Sequence, residues 1–318
     1  MVGDRTMMRS TIKTTIALGA LLGSFFTMGQ ASANPGLAID GSKVLPVNVS
    51  STLRAEISRG RTADAGSFHA VNDLVARSKT IDARARGGKA AISHALAKLG
   101  PTAVMPMIEL LAFDGPAGLP VEQSPAVQRD LVEALGLLRD PRAMPVLGKM
   151  LERDADFTTT RTVAEAIARM DTDEASQKLV SSLATSSGER AKAILAGMGM
   201  CHKTVVTQTL AARLAARPDD ATAILVVKSL GHAGNAWGWK TLADRTDENE
   251  VRGAAAKALV DAYVTYTGSA REAAAKALLV VDAPNTSSLI QNAKSSASPE
   301  ARTALDALAT RVAHNPTR

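Results

Sequence analysis

Apolar and polar residues alternate along most of this chain with a helical period, and the helical segments themselves recur. Leu135, Ile167, Met198 and Leu230 lie 32, 31 and 32 residues apart. A second series, Leu147, Leu179, Leu210 and Leu242, keeps the same steps of 32, 31 and 32. Leu151, Leu183 and Leu214 run parallel to it, and a small residue follows each member of the first series (Gly136, Ala168, Gly199, Gly231). Each unit therefore reads as an apolar helix, a short turn and a second apolar helix. One such pair cannot bury its apolar face alone, so the pattern predicts an all-α stack of antiparallel helix pairs sharing a continuous core. The repetition starts near residue 88. An earlier unit covers 91–112 and is set apart by an insertion at 113–125. Later units are expected to begin at 251 and 270, and a terminal helix is expected over 298–313. Asp140-Pro141 and Ser298-Pro299-Glu300 place a cap and a proline where helices start. The glycines at the ends of first helices read as points where the chain turns.

Ahead of the repeats the pattern differs. Arg5, Arg9 and Lys13 precede the apolar run TTIALGALLGSFFTMG, and Ala31-Ser32-Ala33 follows it. This is the layout of a secretory signal peptide over 1–33, with cleavage exposing Asn34. The alternative is an uncleaved anchor, but the run is shorter than the roughly 20 residues that span a bilayer comfortably. Export to the periplasm or exterior of a bacterium is the expectation. Residues 34–66 read as a linker or extended N-terminal arm, since 34–53 carry Pro, Gly, Ser and Asn without helical period. The first helix is expected near Ser67, with Phe68, Val71 and Leu74 on one face. The array then occupies 67–318, with its clearest repeats over 88–313.

Composition sharpens the class. Hydrophobic residues make up 46% of the chain but aromatics only 3%, so the core rests on Ala, Leu, Val, Met and Ile, which favours helices over strands. The net charge of +6 falls to +4 without the leader, too small an excess to suggest a nucleic-acid partner. The single cysteine, Cys201, excludes an internal disulfide and a multi-cysteine metal site. Its neighbour His202 makes a Cys-His pair, read as a buried thiol beside a surface histidine. The five histidines never fall three or four residues apart, and no P-loop, H-E-x-x-H, G-x-S-x-G or EF-hand spacing occurs. No catalytic, cofactor-binding or metal-ligating residue is assigned.

Two stretches carry a resemblance. VRGAAAKAL (251–259) and AVQRDLVEALGLLRDPRAMPVLGKML (126–151) resemble units of HEAT-repeat proteins, in particular the short HEAT-like units named after phycobilisome lyases. The likeness covers about 88–313. It implies a right-handed α-solenoid of stacked antiparallel helix pairs with a period of about 31 residues. The Val-Arg opening is absent from ERAKAILAGMGMCHKT and ILVVKSLGHAGNAWGW. The lyase activity in the family's name is not implied.

Three places stand out as candidate contacts. GHAGNAWGW (231–239) holds both tryptophans, Trp237 and Trp239, and Tyr263 and Tyr266 follow in the next unit. These four are the candidate partner-binding residues, because Trp and Tyr give large contact area at low entropic cost. The competing reading is that they fill space beside the alanines of VRGAAAKAL. The basic stretch 54–89 (Arg54, Arg59, Arg61, Arg77, Lys79, Arg84, Arg86, Lys89) is a candidate contact with an acidic polymer or an anionic membrane surface, or a solvated face. The insertion 113–125 is the third. The leading expectation is an exported, non-enzymatic scaffold for a protein or peptide partner. The alternatives are an enzyme or regulatory subunit with a site in the groove, and a cell-envelope structural protein contacting an anionic surface.

Overall fold

The computed structural model describes residues 37–78, 92–116 and 123–316. The candidate leader 1–33 lies outside the described residues, as do Lys79, Arg84, Arg86 and Lys89 of the basic stretch and 117–122 of the insertion. Among the described residues every regular element is helical, and all of them belong to one compact unit.

The helices run in chain order as α1 (Gly41–Val44), α2 (Val47–Ala63), α3 (Ala65–Ala76), α4 (Ser93–Lys98), α5 (Val104–Ala112), α6 (Ser124–Leu138), α7 (Met144–Glu152), α8 (Phe157–Met170), α9 (Asp173–Ala184), α10 (Gly188–Gly197), α11 (Thr204–Ala215), α12 (Asp220–Ala233), α13 (Ala236–Lys240), α14 (Glu248–Thr265), α15 (Gly268–Val281), α16 (Thr286–Ser295) and α17 (Pro299–Ala313). They form two layers. One layer stacks α4, α6, α8, α10, α12, α15 and α17 side by side; the other stacks α5, α7, α9, α11, α14 and α16. The core lies between the layers, and Leu135, Ile167, Met198, Leu230, Leu147, Leu179 and Leu210 are all fully buried in it. The leucine spacing thus marks the inward face of successive helix pairs.

The caps explain where the helices begin. Asp140 accepts the Arg142 N–H at 3.0 Å, Thr172 accepts that of Ala175 at 3.1 Å, and Asp219 accepts that of Thr222 at 3.0 Å. Ser298 accepts the Ala301 N–H at 3.3 Å with Pro299 in the first turn. Each satisfies a donor that the helix start leaves open.

Three expectations change. Residues 37–66 do not form an arm. They make α1 and α2, and α2 lays Leu53 and Ile57 against α5. Ahead of them, the Ala38 and Ile39 N–H groups both donate to Leu111 O, at 3.0 and 3.2 Å. The polar Asn, Ser and Thr of α2 mask a narrow apolar stripe.

The glycines after the first-helix leucines do not make the turns. Arg139, Asp171 and Asp282 take the left-handed conformation there, with φ of 53°, 57° and 41°. Gly136 and Gly199 instead allow helices to touch. A Cβ on Gly136 would sit 2.6 Å from Ala166 Cα, and one on Gly199 would sit 2.7 Å from Ser229 Cα.

VRGAAAKAL does not open a unit. It lies in α14, the second helix of the pair that α12 begins, and α15 follows as the next first helix. Between α12 and α14 the chain inserts Asn235–Asp247, which contains the five-residue α13. Leu242, expected on a second helix, lies in this insertion and packs with Trp239, Ala233 and Val251 in a small satellite core.

The Arg of the Val-Arg pair also gains a role. Arg252 donates from Nε to Val281 O at 3.2 Å and from Nη2 to Asp282 O at 2.5 Å, capping the end of α15. Arg271 likewise reaches the Tyr263 and Tyr266 carbonyls at the end of α14, at 3.0 and 2.8 Å. Arginines from one helix thus close the carbonyl end of a neighbour.

Candidate functional site

The four aromatic candidates do not assemble into one surface patch. Asn235 caps α13 through the N–H groups of Trp237 and Gly238, at 3.0 and 3.3 Å. This short helix points its two indoles in opposite directions. Trp239 is 1% exposed and donates from Nε1 to Ala233 O at 2.9 Å. Trp237 is 61% exposed, with Lys240 Nζ 4.4 Å from its ring centre. Tyr263 and Tyr266 are buried in the main core, and their hydroxyls donate to Ala304 O and Pro218 O, each at 3.1 Å. Of the four, only Trp237 is largely exposed. Of the other three, Trp239 packs with Ala233 and Val251, and the two tyrosines are buried in the main core.

The alanines of VRGAAAKAL divide between two faces. Ala255 and Ala256 are buried against neighbouring helices. Ala254 and Ala258 instead face Ala211 and Ala215 of α11 across a groove of about 480 Å³. Small side chains on both walls leave this space open, and Leu214 and Tyr266 contribute to its lining. Lys257 and Asp261 on the rim pair with each other at 2.8 Å, and Arg217 stands at the rim as well. The same layer carries a second groove of about 460 Å³ between α7 and α9, lined by Met144, Pro145 and Gly148. Its rim is charged too: Glu152 sits between Lys149, at 2.7 Å, and Lys178.

The described part of the basic stretch is largely engaged within the fold. Arg61 pairs with the buried Glu109 at 2.5 Å and lies 5.1 Å from the Phe68 ring centre. Arg54 lies 4.7 Å from the Phe113 ring centre and donates to Ser42 Oγ at 2.5 Å. Arg77 pairs with Asp73 at 3.7 Å. Arg54 and Arg61 thus fasten α2 to its neighbours, while Arg77 pairs within the end of its own helix.

The Cys-His pair separates. Cys201 is buried, and burial, with the Asp171 carboxylate adding to it, pushes its thiol up to about 12. A thiol so protonated is no nucleophile at neutral pH. His202 turns the other way. Its backbone N–H donates to Asp171 Oδ1 at 2.6 Å, and its Nδ1 lies 2.8 Å from Asp171 Oδ2. The imidazole also meets Trp239 edge to face, with ring centres 5.0 Å apart. Among the described residues no group of three or more His, Cys, Asp or Glu is placed to hold a metal ion, and no helix is long and apolar enough to cross a membrane.

The Asp171–His202 contact was missed in the sequence, yet its signal was there. Arg139, Asp171 and His202 follow one another by 32 and 31 residues, the same steps as the buried leucines, so successive turns must bring them to one edge of the stack. Residues 118–198, which include α6 to α10, match the family model for HEAT repeats. No curated protein matches the chain. Over the described residues the molecule is an all-α solenoid of HEAT-like repeats, and Asn235–Asp247 is inserted between α12 and α14.

Proposed function

We propose that this chain is an exported HEAT-repeat scaffold that binds a protein or peptide partner and performs no catalysis of its own. Its units are of the short HEAT-like kind named after phycobilisome lyases. The observation that carries the reading is the groove of about 480 Å³ between α11 and α14. It is an apolar trough with a polar rim on a layer that every helix pair extends. Stacked repeats of this family offer such extended surfaces to other proteins. An apolar floor supplies affinity, while rim charges select orientation. Export rests on the leader-like segment 1–33.

A photo-crosslinking amino acid at Ala258, in the groove, compared with one at Val280, exposed on the other layer, tests the binding. An adduct of defined mass from position 258 alone, formed in cells, supports the scaffold. Equal labelling from both positions, or none from 258, overturns it. Cell fractionation with sequencing of the mature N-terminus tests export; a first residue of Asn34 in the exported fraction is the expected result.

A further inference from the structure

The insertion Asn235–Asp247 leans over the turns of three preceding repeats and bounds a cleft of about 230 Å³. Trp239, Leu242 and Ala243 give it an apolar wall. Arg139, Asp171, His202 and Lys203 come from the turns, and Asp244, Thr246 and Asp247 from the insertion. The cleft is thus apolar on one side and charged on the other.

The carboxylates in it are already engaged. Asp171 is held by His202. Asp244 accepts the N–H and hydroxyl of Thr246, at 3.0 and 2.7 Å, and these bonds hold its carboxyl below the usual range. The cations are less well matched. Lys203 Nζ reaches Asp173 and Asp247 only at 3.9 and 3.8 Å. The Arg139 side chain makes no ion pair or hydrogen bond among the described residues. Its left-handed backbone, with φ of 53°, places it on the cleft edge.

We infer that this cleft binds a ligand ending in a single carboxylate next to an apolar group, with Arg139 and Lys203 taking the carboxylate and Trp239 and Leu242 the apolar group. An arginine matches a carboxylate in two parallel hydrogen bonds. The three aspartates set a limit on charge: with Asp171, Asp244 and Asp247 in the lining against Arg139 and Lys203, the cleft has no excess of positive charge for a dianion such as phosphate, so a ligand there carries one negative charge and draws on its apolar group as well. The carboxylate can belong to a free acid or to the C-terminus of a peptide chain. This cleft is separate from the α11–α14 groove, so either site can fail without the other.

The test uses the full chain carrying Trp237→Phe, which leaves Trp239 as its single indole. Trp239 emission is followed while N-acetyl-leucine, the peptide acetyl-Ala-Ala-Ala-Leu, their C-terminal amides, and inorganic phosphate are added separately, up to about 10 mM, a ceiling that detects millimolar binding. The expected result is a saturable change with at least one free acid and binding about tenfold or more weaker for its amide, the loss that follows from removing a charge-assisted hydrogen bond. Tighter binding of the peptide acid assigns the site to a chain terminus; equal binding of the two acids assigns it to free carboxylic acids. Arg139→Asn, which tolerates the left-handed backbone, and Lys203→Gln should each weaken the acid about tenfold with helicity unchanged. If either variant unfolds, the acid–amide contrast in the Trp237→Phe chain decides alone. No saturable change with either acid, equal binding of acid and amide, or tighter binding of phosphate overturns the inference.

Discussion

Asp171 holds His202 twice, accepting its backbone N–H at 2.6 Å on one carboxylate oxygen and meeting its ring Nδ1 at 2.8 Å with the other. The two residues occupy the turns of consecutive repeats, so this contact ties one repeat to the next outside the apolar core. Replacing Asp171 with alanine removes the acceptor of a half-buried N–H and places a Cβ residue without a compensating side chain at φ of 57°. A loss of about 2–3 kcal/mol is expected by urea denaturation. Asp171→Asn keeps an acceptor and tolerates the left-handed backbone, and should recover most of the loss. Equal destabilisation by the two variants would show that the carboxylate's charge, rather than its geometry, is what counts.

The two tryptophans should answer mutation oppositely. Trp239→Ala empties the satellite core and strands the Ala233 carbonyl, with an expected cost of about 3–5 kcal/mol. Trp237→Ala removes an exposed ring and should change stability by no more than about 0.5 kcal/mol. Thermal melts of the two variants, read by circular dichroism, check the contrast.

Helix contacts at glycine make a similar pair. Gly136→Ala drives a Cβ into the backbone of Ala166, and a cost of about 1–3 kcal/mol is expected from overpacking. Gly253, inside α14, would meet only Asn285 Nδ2 at 3.4 Å. There alanine should stabilise by about 0.5–1 kcal/mol through helix propensity. Denaturation midpoints that move the same way for both would contradict the packing account.

Acid should loosen the join between α14 and α15. Burial pushes the Glu248 carboxyl up, but hydrogen bonds from Arg245 and Arg252 outweigh it and hold it below its ordinary 4.5. A carboxyl with a lowered folded value stabilises the fold fully above its unfolded value and loses that contribution as pH falls through the folded one. Stability measured from pH 6 down to pH 3 should therefore decline, and Glu248→Gln should flatten the part of the decline that begins near 4.5.

The buried thiol gives a further check. Cys201 should resist iodoacetamide in the native chain at pH 8 and react promptly in denaturant, because its thiolate is scarcely populated in the fold.

Much of this architecture could be read from leucine spacing alone, because an inward-facing position must recur once per helix pair. Leu135 through Leu214 held that register. It broke at Leu242, where a 13-residue insertion happens to carry a leucine at the expected step without a helix beneath it. Helix α2 was illegible for a different reason: only Leu53 and Ile57 carry its large apolar contact, among polar neighbours that resemble a linker. The glycines misled because a small residue near a helix end can serve either a turn or a close contact, and only the distance from Gly136 to Ala166 tells them apart. Of the candidate contacts, Trp237 was legible as exposed aromatic surface. The fates of Tyr263 and Tyr266 were set by partners 41 and 48 residues away, which no local pattern records.

The two layers differ in how tightly their helices meet. On one side Gly136 and Gly199 bring backbones into contact, leaving nothing to compress. On the other, alanines of α11 and α14 leave a groove open between two packed helices. Added bulk should therefore act differently on the two sides: alanine at Gly136 or Gly199 forces backbones apart, whereas a larger side chain at Ala211 or Ala258 has open space to enter and narrows the groove instead.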